Sequence, residues 1–306
     1  MPTPEDTMPN APAPAWCDLH MHSTASDGTD DPADLPRLCK AAGLSAFALT
    51  DHDTVAGLQV CAEAARRQKI DFVPGIELSV DSDLWGTGKR VGALHILGHF
   101  IDPQAPPLLE MIASQTQARA ERNPRIIKLL NEQGVRIDYE DVVALAEPGA
   151  TLGRPHIAQV LVNKGYVKSI HEAFARYVGP QGVAYAQRGR ALDAKEAIAG
   201  IHAAGGLATL AHPIQLKLAP DENPDDALEH VVDRLKTFGL DGIETRHSDH
   251  APADTVRFEA LAQRLNLLVS GGSDYHGSRK SIALGSSAVP RVVYEQLCAA
   301  VSSRRA

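Results

Sequence analysis

Apolar positions along this chain recur with two periods, and the switch between them predicts its elements. In Trp16-Cys17-Asp18-Leu19-His20-Met21-His22-Ser23 they alternate, so a short strand would present Asp18, His20 and His22 on one face and Cys17, Leu19 and Met21 on the other. Residues 33–42 change to helical spacing through Leu35, Leu38 and Ala42, and Gly43 ends the run. The exchange then repeats. Strands are predicted at 46–50, 72–80, 93–100, 206–211, 242–245 and 267–270, with helices at 55–68, 193–204, 228–238, 253–265 and 292–301. In strand 93–100, His95, Leu97 and His99 share a face.

Between 106 and 185 the strand pattern is absent. The spacing is helical throughout, with breaks expected at Pro124, Gly134, Pro148-Gly149 and Gly165, and the composition stays globular. Its first segment, carrying Gln115, Gln117, Arg119, Glu121, Arg122 and Arg125, reads mostly as a solvated face. Seven strands alternating mostly with helices predict an α/β fold, a distorted seven-stranded parallel (β/α)7 barrel with an inserted helical subdomain. The expected organisation is a disordered Pro- and Ala-rich leader at 1–14, a barrel from 15–104 and 186–306, and a helical cap at 105–185.

Composition narrows this picture only slightly. The chain has 306 residues, 44% hydrophobic and 22% charged, as soluble globular proteins do. A formal net charge of -8 argues against a nonspecific grip on nucleic acid, so no stable duplex binding is expected, although bound divalent cations would reverse the sign locally. Cys17, Cys39, Cys61 and Cys298 are scattered without C-x-x-C spacing, which predicts reduced thiols and a cytoplasmic protein rather than a disulfide framework or thiolate zinc site. No apolar run reaches membrane-spanning length, so no membrane partner is expected.

Candidate chemistry lies at the strand ends. His20 and His22, His52, Glu77, His212, and Asp274 with His276 each fall at or just past the C-terminal end of a separate predicted strand, and His95 lies on a strand that could reach the same cavity. In a parallel barrel those ends converge on one rim, where catalytic groups gather. Imidazoles and carboxylates gathered there would hold divalent metals. In the insert, Gly153-Arg154-Pro155-His156 sets an Arg and a His at a helix start, where anions are attracted.

These motifs resemble those of the PHP (polymerase and histidinol phosphatase) metal-dependent phosphoesterases. The matching segments are Asp18-Leu19-His20-Met21-His22-Ser23, Asp27-Gly28, Thr50-Asp51-His52-Asp53, Gly75-Ile76-Glu77, Ala211-His212-Pro213 and Gly272-Ser273-Asp274-Tyr275-His276, in the family's order. Gly153-Arg154-Pro155-His156 is similar to the branch that dephosphorylates nucleoside 3',5'-bisphosphates and trims RNA 5' ends.

The resemblance implies a site for three divalent metals formed by His20, His22, Asp27, His52, Glu77, His95, His212, Asp274 and His276, with Glu77 bridging two of them. His95 is preferred to His99 because His-Ile-Leu-Gly matches the family better. Six imidazoles and three carboxylates suit manganese, iron or zinc, manganese being the expected ion. A metal-bound hydroxide, not a side chain, would be the nucleophile. Asp18, Asp51 and Asp53 would orient ligating imidazoles, and Arg154 and His156, with His247 beyond the sixth strand, would contact substrate. The expected substrate is a small phosphorylated molecule, a nucleotide or a short RNA 5' end. The alternatives are a histidinol phosphate phosphatase or other small-molecule phosphatase, a noncatalytic PHP scaffold, or a metal-dependent amidohydrolase, whose customary lysine at a strand end is lacking here.

Overall fold

The first half of the barrel follows directly from the alternation. Trp16–Asp18 (β1), Leu44–Leu49 (β2) and Asp71–Val80 (β3) pair in parallel, joined by Leu35–Ala41 (α1) and Leu58–Gln68 (α2). Helix α2 buries Leu58, Cys61, Ala64 and Ala65 at helical spacing, carries Arg66 and Arg67 in its last turn, and stops at Lys69 in the left-handed region. These elements come from a computed structural model that describes residues 15–146, 150–186, 189, 191–218 and 223–305. The expected leader at 1–14 and the expected break at Pro148-Gly149 lie outside the described residues.

Leu94–His99 (β4) runs antiparallel to β3, which departs from the expected all-parallel sheet. The reason is the connection. Residues 81–93 contain no helix, and a strand can return parallel only through a longer crossover. The insert follows as Pro106–Glu132 (α3), Tyr139–Val143 (α4), Arg154–Asn163 (α5) and Ile170–Ala173 (α6). Helix α3 passes straight through Pro124 instead of breaking there. It packs Leu108 into the barrel core and Ile126, Ile127 and Leu130 into a separate insert core with Ile157 and Leu161. Burial at both ends outweighs the hydrogen bond that the proline removes.

After Ala194–Ala203 (α7), Leu207–Leu210 (β5) also runs antiparallel to β4. Pro224–Lys236 (α8), Gly242–Arg246 (β6), Pro252–Arg264 (α9) and Leu268–Gly271 (β7) restore the parallel alternation. A further strand, Val289–Pro290 (β8), pairs antiparallel with β1 before Arg291–Arg305 (α10). With only two residues it offers no period for the sequence to show. The order is therefore β7-β6-β5-β4-β3-β2-β1-β8, eight strands where seven were expected. The continuation of β1 brings the ends together, since the Leu19 amide donates to the Gly271 carbonyl at 3.1 Å and Met21 bridges Tyr275 in parallel. The result is an α/β barrel with one rim facing the insert.

Candidate metal centre

Each strand delivers its polar groups to that rim. The exit of β1 carries His20 and His22, and Asp27 follows on the loop; His52 follows β2, Glu77 lies within β3, His212 follows β5, and Asp274 and His276 follow β7. Because β4 is reversed, its beginning reaches the rim, so His95 pairs with Ser79 near the end of β3 while His99 pairs with Gly75 far below. His99 lies with Nε2 2.9 Å from the Leu19 carbonyl. Strand direction thus separates the two histidines that sequence spacing placed on one face.

Glu77 occupies the middle. Its Oε2 lies 3.2 Å from His20 Nε2, 3.1 Å from His22 Nε2 and 3.2 Å from His52 Nδ1, and its Oε1 lies 2.6 Å from His95 Nδ1 and 2.9 Å from His212 Nε2. Asp274 Oδ1 faces His22 Nε2 at 3.2 Å and His20 Nε2 at 3.5 Å. Asp27 faces His276 Nε2 at 3.3 Å and His52 Nε2 at 4.0 Å. The structure therefore brings together all nine residues expected as ligands.

Their donor atoms fit divalent cations. Among the described residues four groups with ligand spacing overlap here: His22, Asp27, His52 and His276; His20, His22, Glu77 and Asp274; His52, Glu77 and His95; and His20, Glu244 and His247. Nδ1 of His22 and of His212 is buried without a hydrogen-bond partner, and His22 Nε2 and His52 Nδ1 are buried with carboxylate oxygens 3.1 and 3.2 Å away but not in hydrogen-bonding alignment. Such atoms are costly to bury unless something takes their lone pairs. Burial alone would raise the carboxyls of Glu77, Asp27 and Asp274, yet the surrounding imidazoles, with Lys280 beside Asp274, hold all three well below the usual range. Burial alone would likewise depress His20 and His22, but Glu244, Glu77 and Asp274 raise them, His22 to about 9. Burial prevails at His52, which falls to about 3. The cluster is built around paired opposite charge, and cations bound there would take the place of the imidazole protons.

Several expected partners do other work. Asp18 accepts from the Ser273 amide at 2.9 Å and the Gly285 amide at 2.8 Å. Asp51 accepts from the Ser23 amide at 2.8 Å and the Ser26 hydroxyl at 2.5 Å. Asp53 accepts from the Ser79 amide at 2.9 Å and pairs with Arg119 of α3. These three carboxylates tie loops and the insert to the rim, correcting the expectation that they orient imidazoles. Carboxylates so near strand ends meet the free amides of the turning backbone first. The orienting carboxylate is Glu244 of β6, with Oε1 3.1 Å from His20 Nδ1, and the sequence reading passed over it. An acid inside an apolar strand is the signal that singled out Glu77, and it would have found Glu244 as well.

His156 also differs from expectation. Its Nδ1 accepts from the Gly153 amide at 3.2 Å, closing the start of α5, and burial lowers its pKa to about 4 while a backbone bond to Ser26 opposes this. Nearby, the Thr151 amide donates to the Ala25 carbonyl at 3.1 Å. His156 therefore seats the insert on the loop that carries Asp27, instead of facing an anion. Arg154 is placed differently. Its guanidinium lies 5.7 Å from the Phe174 ring centroid and 6.0 Å from that of Tyr185, and its Nη1 donates to the Val178 carbonyl at 3.4 Å. It lines a cleft of about 350 Å³ with His95, Arg122 and Lys217.

His247 is buried at the centre, its Nδ1 accepting from the Asp249 amide at 3.0 Å and its Nε2 3.4 Å from Asp274 Oδ2. The backbone contact leaves the proton on Nε2, which makes this ring a donor. Lys280, also absent from the sequence reading, places Nζ 2.6 Å from Asp274 Oδ2. Nothing in its spacing sets it apart from a surface lysine. Finally, Gln115, Arg119 and Arg122 are buried, so this polar stripe at helical spacing on α3 is not solvated as expected.

Known proteins share this chain's sequence and fold. The chain is 33% identical over 268 residues to a 5'-3' exoribonuclease of Haemophilus influenzae, covering 88% of this chain and 92% of that one. It is 34% identical to a phosphoribosyl 1,2-cyclic phosphate 1,2-diphosphodiesterase of Eggerthella lenta, covering 85% and 94%. It is 32% identical to a 3',5'-nucleoside bisphosphate phosphatase of Chromobacterium violaceum, covering 85% and 86%. A solved structure from Bifidobacterium adolescentis, described as a metal-dependent phosphoesterase, superposes with a TM-score of 0.81 at 32% identity and covers 94% of this chain and 96% of its own. The PHP domain profile matches residues 18–244, and the chain belongs to the PHP domain family.

Proposed function

We propose that this metal-dependent hydrolase of phosphoester bonds cleaves an ester that lies close to a second phosphate, releasing phosphate from nucleoside 3',5'-bisphosphates and a 5'-nucleotide from 5'-phosphorylated RNA ends. The observation that carries the reading is Arg154. Its guanidinium lies within the cleft that begins at His95, and among the described residues no carboxylate lies within ion-pair distance of it. A cation held by aromatic rings beside a metal cluster suits a phosphate oxygen, which a guanidinium meets with two parallel hydrogen bonds. The names borne by the relatives from Haemophilus influenzae and Chromobacterium violaceum support the same choice.

The nine clustered ligands would hold divalent cations, about three by donor count and manganese foremost among the ions that this donor set suits. Bound there, such cations supply Lewis-acid polarisation of a phosphoryl group and lower the pKa of water. The chain does the rest. Glu77 reaches five imidazoles with its two oxygens and sets their spacing. Lys280 holds Asp274 Oδ2, which leaves Oδ1 facing His20 and His22. Arg154 fixes the remote phosphate, which orients the scissile one and converts binding energy into alignment.

The test is a substrate panel of mononucleotides, nucleoside 3',5'-bisphosphates, histidinol phosphate and short 5'-phosphorylated RNAs, assayed for phosphate or nucleotide release with manganese present. Highest kcat/KM on bisphosphates or RNA ends supports the reading. Turnover confined to histidinol phosphate contradicts it.

A further inference from the structure

Two basic side chains follow the metal cluster on the loop after β7, and their surroundings treat them differently. Lys280 is matched by Asp274 at 2.6 Å. Arg279 is not. Its Nη1 is sealed from solvent and has no hydrogen-bond partner, and among the described residues no carboxylate lies within ion-pair distance of its guanidinium. A cationic donor withdrawn from water without an acceptor is costly, and evolution of a stable chain ordinarily supplies one.

Its position says what the acceptor is. Burial lowers the Arg279 pKa against the field of Asp27, and Arg279 in turn bears on His156, so the guanidinium stands near both the Asp27 end of the cluster and the start of α5. The segment around it is tied down. The Ser278 amide donates to Thr29 Oγ1 at 2.8 Å, and the Tyr275 hydroxyl lies 2.9 Å from Asp30 Oδ2. Arg279 thus lies on the Asp27 side of the cluster, whereas Arg154 lines the cleft at His95.

We propose that Arg279 binds the scissile phosphate from the Asp27 side, so that a substrate with two phosphates spans the cluster from Arg279 to Arg154. The proposal rests on the phosphoesterase reading above. It assigns the two phosphates to two different arginines, each with a guanidinium fork that matches phosphate geometry.

Inorganic phosphate is the probe, titrated calorimetrically into the metal-loaded protein. Arg279→Met is expected to weaken phosphate binding roughly tenfold or more, with metal per chain and melting temperature kept, and Arg279→Lys to recover part of the loss. Phosphate affinity equal to the parent's in Arg279→Met overturns the proposal. Should that variant not fold, Arg279→Gln carries the same decision. Kinetics separate this inference from the substrate reading: Arg279→Met should raise KM for a simple phosphomonoester and for a bisphosphate alike, since both present the scissile group. Weakened phosphate binding without any bisphosphate preference removes only the substrate reading, and parent-like phosphate binding with that preference intact removes only the role of Arg279.

Discussion

Glu244 and His20 face each other at the rim, with Glu244 Oε1 3.1 Å from His20 Nδ1 while Oε2 accepts from the His212 amide at 2.7 Å. Burial opposes ionisation of Glu244, but His20 and its neighbours hold the carboxyl down to about 2, so it only accepts. The His20 proton therefore sits on Nδ1, and Nε2, 3.2 Å from Glu77, is left to bind metal. Glu244→Ala should lower metal affinity by roughly 10- to 100-fold, as loss of such orienting partners does, measured by competition with a calibrated chelator. Unchanged affinity would remove Glu244 from the account.

Arg154 is a second test point, because its role separates substrates. Arg154→Ala should lower kcat/KM on a nucleoside 3',5'-bisphosphate by roughly 10- to 100-fold and leave a simple phosphomonoester nearly untouched. Equal loss on both would show that the guanidinium serves folding or the centre itself.

The insert is fastened to the barrel by charge as well as by packing. Arg119 on α3 meets Asp53 in a buried pair. Arg119→Met removes the cation paired with this buried carboxylate and should cost about 3 kcal/mol of unfolding free energy. Adding Asp53→Asn should restore part of it, because asparagine tolerates the left-handed backbone found at Asp53. A denaturant series on the two single variants and the double variant reads this directly, and strict additivity would deny the coupling.

Acid sensitivity follows from His99. Burial lowers its pKa from 6.5 to about 4, the bond to Leu19 opposing. A base with a depressed folded pKa stays neutral in the fold while the unfolded chain takes up the proton. Its contribution is complete above pH 6.5 and is lost as the pH falls toward about 4. The window corresponds to about 3 kcal/mol. His99→Gln should therefore show a shallower fall of stability between those pH values than the parent at equal metal loading. Parallel slopes would contradict this.

How much of this the sequence displays depends on the kind of signal. Ligand-type residues just past apolar runs mark the rim because a barrel brings strand ends together, so His20, His52, Glu77, His212 and Asp274 are readable from spacing alone. The direction of β4 is not, since alternation has no sense along the chain; only the helix-free stretch 81–93 hints at it. Gln115, Arg119 and Arg122 read as solvated because a polar stripe facing a charged site has the same period as one facing water. Asp18, Asp51 and Asp53 lie beside the ligands in sequence, yet their oxygens are taken by backbone amides that only the folded loops supply. Arg279 and Lys280 carry no local mark at all, their meaning arising from what the loop after β7 lies against.

The central claim is that side chains from separate strands assemble a divalent-metal centre that the hydrolysis requires. Protein stripped by chelation and then titrated with Mn²⁺, with bound metal per chain and phosphate release read on the same samples, tests it most directly. The account predicts loss of turnover on stripping and its return as about three ions bind per chain. Full turnover in protein shown to contain no metal would contradict it.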